Sequence, residues 1–333
     1  MRTLIIAEAG VNHDGVLADA HAIVDAAADA GADVVKFQTF RADRLVTASA
    51  ARAAYQVRTT GSDAPQLAML RALELAPEAH VALAAHAAAR GIAFASTAFD
   101  SESLDFLATL QPPFVKVPSG ELTNLPYLRH VAVMGSPVLL STGMATLGEV
   151  EAALDALAAA GCDRTRVTVL HCTTEYPAPM PSVNLRALAT LRTAFGTAVG
   201  YSDHTAGLEI PVAAVALGAT VLEKHLTLDR SRPGPDHAAS LEPREFAAMV
   251  AAVRNVEVAL GDGIKRPADG ERANARIARR SIVAARAIRA GEPFSADNLA
   301  VKRPGTGLSP MRWDDVLGRV ATRDYAPDEA IVA

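Results

Sequence analysis

Short apolar runs alternate with longer stretches in which apolar residues recur every three to four positions, from the N-terminus to about residue 260. The short runs fall at 4–7, 34–37, 92–95, 114–117, 138–140, 167–170, 198–201 and 220–223. They are rich in Val, Ile, Leu and Phe, broken only by single polar residues such as Lys36 and Lys116, as strands buried on both faces require. Between them, 17–30, 102–110, 125–134, 147–159, 184–195, 208–217 and 245–260 carry helical periodicity, several closed by glycine, as at Gly31 and Gly161. Eight strands alternating with helices over about 260 residues predict a parallel (β/α)8 TIM barrel. An open doubly wound sheet has the same alternation, but no glycine-rich dinucleotide fingerprint follows the first strand. Residues 41–76 interrupt the pattern; they are polar and irregular, and predict an extended loop over the barrel mouth.

After Gly261 the texture changes to Gly, Pro and charge, which reads as a linker, and from Arg279 onward short β-like runs are separated by turns. The chain divides into a barrel domain at 1–262, a linker at 263–278 and a small mixed-β module at 279–333. A module of about 55 residues is marginal alone and is expected to dock on something.

Half of the 333 residues are apolar, enough for a large core. A net charge of −5 excludes the basic footprint of a nucleic-acid or anionic-membrane binder, so any bound polyanion must meet locally placed cations. The two cysteines, Cys162 and Cys172, make no disulfide framework and suit a reducing cytoplasm. The N-terminal apolar run meets Glu8 too soon for a signal peptide, and no run approaches the roughly 18 residues of a membrane span.

Candidate chemistry gathers at the carboxyl ends of the predicted strands: Glu8; Lys36 and Gln38; Ser96 and Thr97; Lys116, Ser119 and Glu121; Ser141 and Thr142; His171, Thr173 and Thr174; Ser202, Asp203 and His204; Glu223, Lys224 and His225. In a barrel these ends converge on the face where active sites are built. Lys36 and Lys116 have three readings: lysines paired with a carboxylate such as Glu8 or Glu121, a cradle with Thr97, Ser119 and Ser141 for a small phosphorylated carboxylate, or a Schiff-base nucleophile. His204 and His225 end successive strands. Each alone reads as a hydrogen-bonded core histidine; together they read as two ligands of an exchangeable metal with open positions, where imidazole suits Mn, Co, Fe or Zn. His13 and His237 fit turn chemistry, and Cys172 reads as a buried thiol. Asp236, in the rigid PGPDH loop past the eighth strand, is a candidate for sugar hydroxyls, and Arg303 sits on a tight turn of the small module.

The ordered motifs AEAGVNHDG, VKFQTF, FASTAFD, VKVPSGELTN, LLSTGM, HCTTEYPAP, VGYSDHT, EKHLTLDRSRPGPDHAASLEP and VKRPGTGLSP resemble the sialic acid synthase family across essentially the whole chain. The resemblance implies a TIM barrel followed by an antifreeze-like (SAF, β-clip) domain, and a transferase that condenses phosphoenolpyruvate with an N-acetylated hexose. It implies a homodimer in which the small domain is swapped over the partner's active site. Residue by residue, it assigns phosphoenolpyruvate to Lys36, Thr97, Lys116, Ser119 and Ser141, and a divalent metal, usually Mn2+ with Mg2+ or Co2+ as alternatives, to His204 and His225. It assigns the sugar to Glu8, Gln38, Tyr176 and Asp236, acid/base work to Glu121 or Glu8, and the sugar's N-acyl group to Arg303 from the partner. Thr174 stands where some bacterial neuraminate synthases carry asparagine. The CTTEYP run followed by VGYSDHT resembles the legionaminic acid synthase branch, which takes 2,4-diacetamido-2,4,6-trideoxymannose; neuraminate and pseudaminate synthases are the alternatives within the family. Outside it, the alternatives are a Schiff-base aldolase and an ice- or glycan-binding protein.

Overall fold

The computed structural model describes residues 2–332, which form two compact units, Met1–Gly261 and Asp262–Ala333. In the first unit the elements follow as β1 (Leu4–Gly10), α1 (Leu17–Asp29), β2 (Val34–Thr39), α2 (Ala42–Leu45), α3 (Ala54–Thr60), α4 (Gln66–Leu73), α5 (Pro77–Ala89), β3 (Ala93–Ala98), α6 (Ser101–Thr109) and β4 (Val115–Val117). Then come α7 (Leu125–Val133), β5 (Val138–Ser141), α8 (Leu147–Ala159), β6 (Val167–Cys172), α9 (Ala187–Phe195), β7 (Ala198–Asp203), α10 (Glu209–Ala216), β8 (Val221–His225) and α11 (Pro243–Leu260).

All the ladders of the eight-stranded sheet are parallel, in the order β3-β2-β1-β8-β7-β6-β5-β4, and β3 packs beside β4, so the sheet nearly closes on itself. This is the TIM barrel expected from the alternation, and the open sheet is excluded. Side chains alternate between barrel interior and helix layer. Ile6, Val34, Ala95, Phe114, Leu139, Leu170 and Val221 pack together as one apolar layer inside the barrel. The outward residues, among them Val35, Val117, Leu140, Val169, Val199 and Leu222, join the helices in the main core. Two residues further along each strand, the inward positions become polar; the site is built there.

Residues 41–76 depart from the expected irregular loop: they contain α2, α3 and α4. Val11, Phe40, Met69 and Leu73, with Leu45, Leu70 and Phe99 packed against them, give this segment its own small apolar cluster. In the second unit, half of the expected linker is helical, α12 (Asp269–Ala278), with Glu271 accepting a hydrogen bond from the Ala268 amide at its start. It is followed by β9 (Ser281–Ala284), β10 (Leu299–Lys302) and α13 (Trp313–Val316), the strands pairing antiparallel. Ile282, Ile288, Phe294, Leu299, Val316, Tyr325 and Ile331 are among the residues of this unit's own core. Among the described residues no helix is long and apolar enough to cross a membrane.

Candidate active site

At the carboxyl ends of the strands lies a cavity of about 380 Å3. Every barrel residue to which the resemblance assigns a role lines it, whereas Ser96, Thr142, His171, Thr173, Asp203 and Lys224 do not: Glu8 comes from β1, Lys36 and Gln38 from β2, Thr97 from β3, Lys116 from β4, Ser119 and Glu121 from the turn after β4, and Ser141 from β5. Tyr176 follows β6, His204 follows β7, His225 ends β8 and Asp236 lies in the loop beyond it. Arg303 is exposed in the second unit, just past β10.

The floor is a buried charge quartet. Lys116 Nζ donates to Glu223 Oε1 at 2.9 Å, Ser202 Oγ donates to the same oxygen at 2.8 Å, and Lys36 Nζ lies 3.5 Å from Glu223 Oε2. Lys36 also pairs with Glu8, its register partner on β1, and donates to Thr97 Oγ1 at 2.7 Å. Burial alone would raise Glu223, but Lys116 and Lys36 outweigh it and hold this carboxyl well below its usual range. Glu8 is pushed the other way: burial raises it, Lys36 opposes, and the charge on Glu223 raises it again. Lys36, despite burial, is raised by Glu223 and Glu8, so it stays an ammonium. A Schiff-base lysine needs the opposite shift, and this argues against the aldolase reading of Lys36.

Beside the quartet are hydroxyls with nothing to bond. Ser141 Oγ and Thr174 Oγ1 are buried without a partner. Ser119 Oγ lies 3.0 Å from the Gly143 amide, which donates to it, and 3.2 Å from Cys172 Sγ. Only glycine fits at 143, since a Cβ there would stand 2.1 Å from Thr174 Oγ1 and 2.8 Å from Ser119 Oγ. Two ammonium groups and unspent donors around one space make a receptor for a small oxyanion.

Across the cavity the two imidazoles face each other with ring centroids 5.5 Å apart. His204 Nδ1 lies 2.6 Å from the Thr173 carbonyl; a carbonyl only accepts, so the proton sits on Nδ1 and Nε2 carries the free lone pair. Burial lowers His204 to about 4 and puts His225 well below its ordinary value, with His204 adding to the latter. Both rings are therefore neutral, as ligation requires, and His225 Nδ1 is buried without a partner. Among the described residues no group of three or more His, Cys, Asp or Glu is arranged to hold a metal. Two imidazoles alone would leave positions open for water and substrate on any cation they held. Tyr176 lies over His204 at 4.1 Å between centroids and is stacked in turn on Tyr55 of α3 at 5.0 Å.

A third side gathers carboxylates and an amide. Gly10, at φ +54°, leaves room for Glu8, Gln38 and Asp236: a Cβ there would lie 3.3 Å from Glu8 Oε1, and 3.4 Å from both Asp236 Oδ2 and Gln38 Nε2. Burial, helped by Glu8, raises Asp236 to about 7. Glu121, half-buried, accepts from Asn124 Nδ2 at 2.6 Å. Opposite, Leu45, Val46, Tyr55, Gln56, Met69, Leu70 and Leu73 of the 41–76 segment complete the lining.

Sequence reasoning gave no role to Glu223, the acceptor at the centre of the quartet, although its position two residues before His225 puts it on the same inward row. It also gave none to Ser202, whose parity with His204 carries the same signal. The segment 41–76 lines the cavity as its expected place over the barrel mouth implies, but its helices and the residues it contributes had no such signal.

Fold and cavity together define a barrel enzyme whose site sets two buried lysines and unpartnered hydroxyls across from two neutral imidazoles. The chain belongs to the NeuB family: that family's profile matches residues 23–265, and a SAF domain matches residues 279–333. It is 52% identical over 330 residues to an N,N'-diacetyllegionaminic acid synthase of Campylobacter jejuni, spanning 99% of both chains. It is 45% identical over 320 residues to the N,N'-diacetyllegionaminic acid synthase of Legionella pneumophila, covering 96% of this chain and 90% of that one. The crystal structure of an N-acetylneuraminic acid synthetase from Leptospira borgpetersenii, in complex with citrate, superposes with a TM-score of 0.71 at 32% identity, covering 82% of this chain and 90% of that one. The protein is accordingly a phosphoenolpyruvate-dependent condensing synthase of nonulosonic acids, a transferase, from a family of generally metal-dependent enzymes.

Proposed function

We propose that this synthase condenses phosphoenolpyruvate with 2,4-diacetamido-2,4,6-trideoxymannose to give N,N'-diacetyllegionaminate and phosphate. The observation that carries the reading is the two-sided cavity: Lys36, Lys116 and the unpartnered Ser141 and Thr174 hydroxyls on one side, two neutral histidines on the other. The choice of sugar draws support from the two legionaminic relatives and from the apolar wall that Leu45, Val46, Met69 and Leu70 present. A 6-deoxy sugar offers those four residues a methyl group, whereas the C6 hydroxyl of N-acetylmannosamine would have to turn to Tyr55, Gln56 or Gln66 for a partner on this segment.

His204 and His225 hold the divalent cation, manganese in this proposal, which supplies Lewis acidity toward the acceptor's carbonyl oxygen. Lys36 and Lys116 bind the phosphate and carboxylate of phosphoenolpyruvate, with Thr97, Ser119, Ser141 and Thr174 completing its hydrogen bonds. Gln38, Tyr176 and Asp236 orient the sugar. C3 of phosphoenolpyruvate attacks C1 of the open-chain sugar, water adds at C2, and phosphate leaves by C–O cleavage. Glu121, at the rim, takes the proton of that water. Glu8, whose carboxyl burial pushes upward, is placed to exchange a proton with the new hydroxyl. The working unit is a dimer in the cytoplasm, with Arg303 of the partner subunit reaching the sugar's N-acyl group.

Phosphate release measured against the three candidate sugars, with manganese and with EDTA, tests the reading. Turnover with the trideoxy sugar at least tenfold above the other two, abolished by EDTA, is expected; equal turnover with N-acetylmannosamine overturns the choice of sugar. In 18O-water, label should enter the keto acid and not the phosphate. Mixing His204→Ala with Arg303→Ala chains should regain activity that neither has alone, since one hybrid site is then intact.

A further inference from the structure

Asp203 and Lys224 are the residues immediately before the two histidines, and their parity turns them away from the cavity, into the layer between strands and helices. They are direct register partners on β7 and β8. Lys224 Nζ donates to Asp203 Oδ2 at 2.6 Å, and both side chains are 0% exposed. Lys224 also donates to the Thr205 carbonyl. Asp203 Oδ1 accepts from the Thr205 amide at 3.0 Å, and Oδ2 from the Thr205 hydroxyl at 3.1 Å. The pair thus joins two strands and grips the backbone on the far side of His204. The neighbouring outward residues, Tyr201 and Leu222, belong to the apolar core. An ion pair placed there gains little stability over packed apolar residues, so its presence calls for another reason.

We propose that the Asp203–Lys224 pair is a positioning device that sets the separation and orientation of His204 and His225. The reason is geometric. His204 stands one residue past the end of β7, where the ladder has stopped and backbone freedom returns, and His225 is the last residue of β8, paired with Glu8 of β1 but with no ladder partner on the β7 side. Backbone bonds hold the flanks: the Ala178 amide donates to the His204 carbonyl at 2.8 Å and the Leu241 amide to that of His225 at 2.9 Å. Across the gap between the two strands, at the last ladder pair itself, the buried salt bridge supplies the side-chain constraint. With it, two imidazoles converge on one point; without it, each strand end relaxes on its own.

The inference rests on reading the two histidines as a metal seat, and manganese binding separates the two claims. Manganese affinity, read by electron paramagnetic resonance of the free ion, should fall about 10- to 100-fold in Lys224→Met and in Asp203→Asn. Phosphoenolpyruvate affinity without metal should change less than about twofold, and excess manganese should recover kcat. Should the single variants fail to fold, the double variant Asp203→Leu/Lys224→Met removes both charges and keeps the packing. It should regain the wild-type melting temperature but not the wild-type manganese affinity. Wild-type manganese affinity in any of these variants overturns the positioning role alone. A wild-type chain that binds no manganese overturns the metal reading and this inference with it.

Discussion

The floor and the apolar wall of the cavity are built by opposite means. On the floor, Glu8, Lys36 and Glu223 stand on strands held by ladders on both sides, Lys116 on a strand laddered to β5, and all four are tied to one another. The wall is carried by three helices of four, seven and eight residues, with a small apolar cluster of their own. Charges in a low-dielectric site must be placed accurately to be tolerated, and a barrel strand is a rigid support. A surface that sorts a methyl from a hydroxyl needs only the right polarity at the right height, and an inserted loop can change it without disturbing the floor. Chemistry is thus lodged in the scaffold and selectivity in the insertion.

The largest effect should come from the histidine seat between the two. His204→Ala should lower condensation by more than about a thousandfold while phosphoenolpyruvate binding, measured by calorimetry, is retained. Equal loss of both would mean that floor and seat are one unit. Next, Glu223→Gln leaves Lys36 and Lys116 short of one negative charge. The ligand-free chain should lose about 3 kcal/mol of stability in denaturant. The thermal shift on adding phosphoenolpyruvate should exceed that of the wild type, because the anion supplies the missing charge; an unchanged shift would remove Glu223 from the floor. On the wall, Leu70→Gln should cut the preference for a 6-deoxy over a 6-hydroxy sugar about tenfold in kcat/KM ratio. It should leave the KM for phosphoenolpyruvate alone. If both change together, the separation of wall from floor is wrong.

The last effect concerns Asp236, and it touches stability alone. Its pKa rises from an ordinary 3.8 to about 7, through burial first and then Glu8. Between those values the folded chain binds a proton that the unfolded chain has released. Stability of the ligand-free protein therefore falls as pH rises through this window, by at most about 1.4 kcal/mol per pH unit. Asp236→Asn should flatten that slope, as melting temperatures from pH 4 to 8 would show.

Much of the site was legible because parallel strands write a simple code. The apolar run ends, the next inward residue is polar, and the period of two continues into His204 and His225. Glu223 obeys the same period but lies between two more conspicuous neighbours, and its role depends on Lys116 and Lys36, more than a hundred residues away. The segment 41–76 misled for a different reason. Helices of four to eight residues hold too few turns to show a periodic face, and they form because of what they pack on. The helix Asp269–Ala278 was read as linker because Gly, Pro and charge surround its start, and it buries nothing within its unit.

By itself the sequence determined the order of elements, the inward rows and the residue types available at each strand end, since these follow from local periodicity. Only the tertiary structure decided that Glu223 is shared by two lysines, that both histidines are neutral, and that Asp203 and Lys224 meet behind them. It alone lined the mouth with an apolar wall. Each of these is a matter of which distant groups share a small, water-poor volume, and that is fixed by closure of the barrel, not by any stretch of chain.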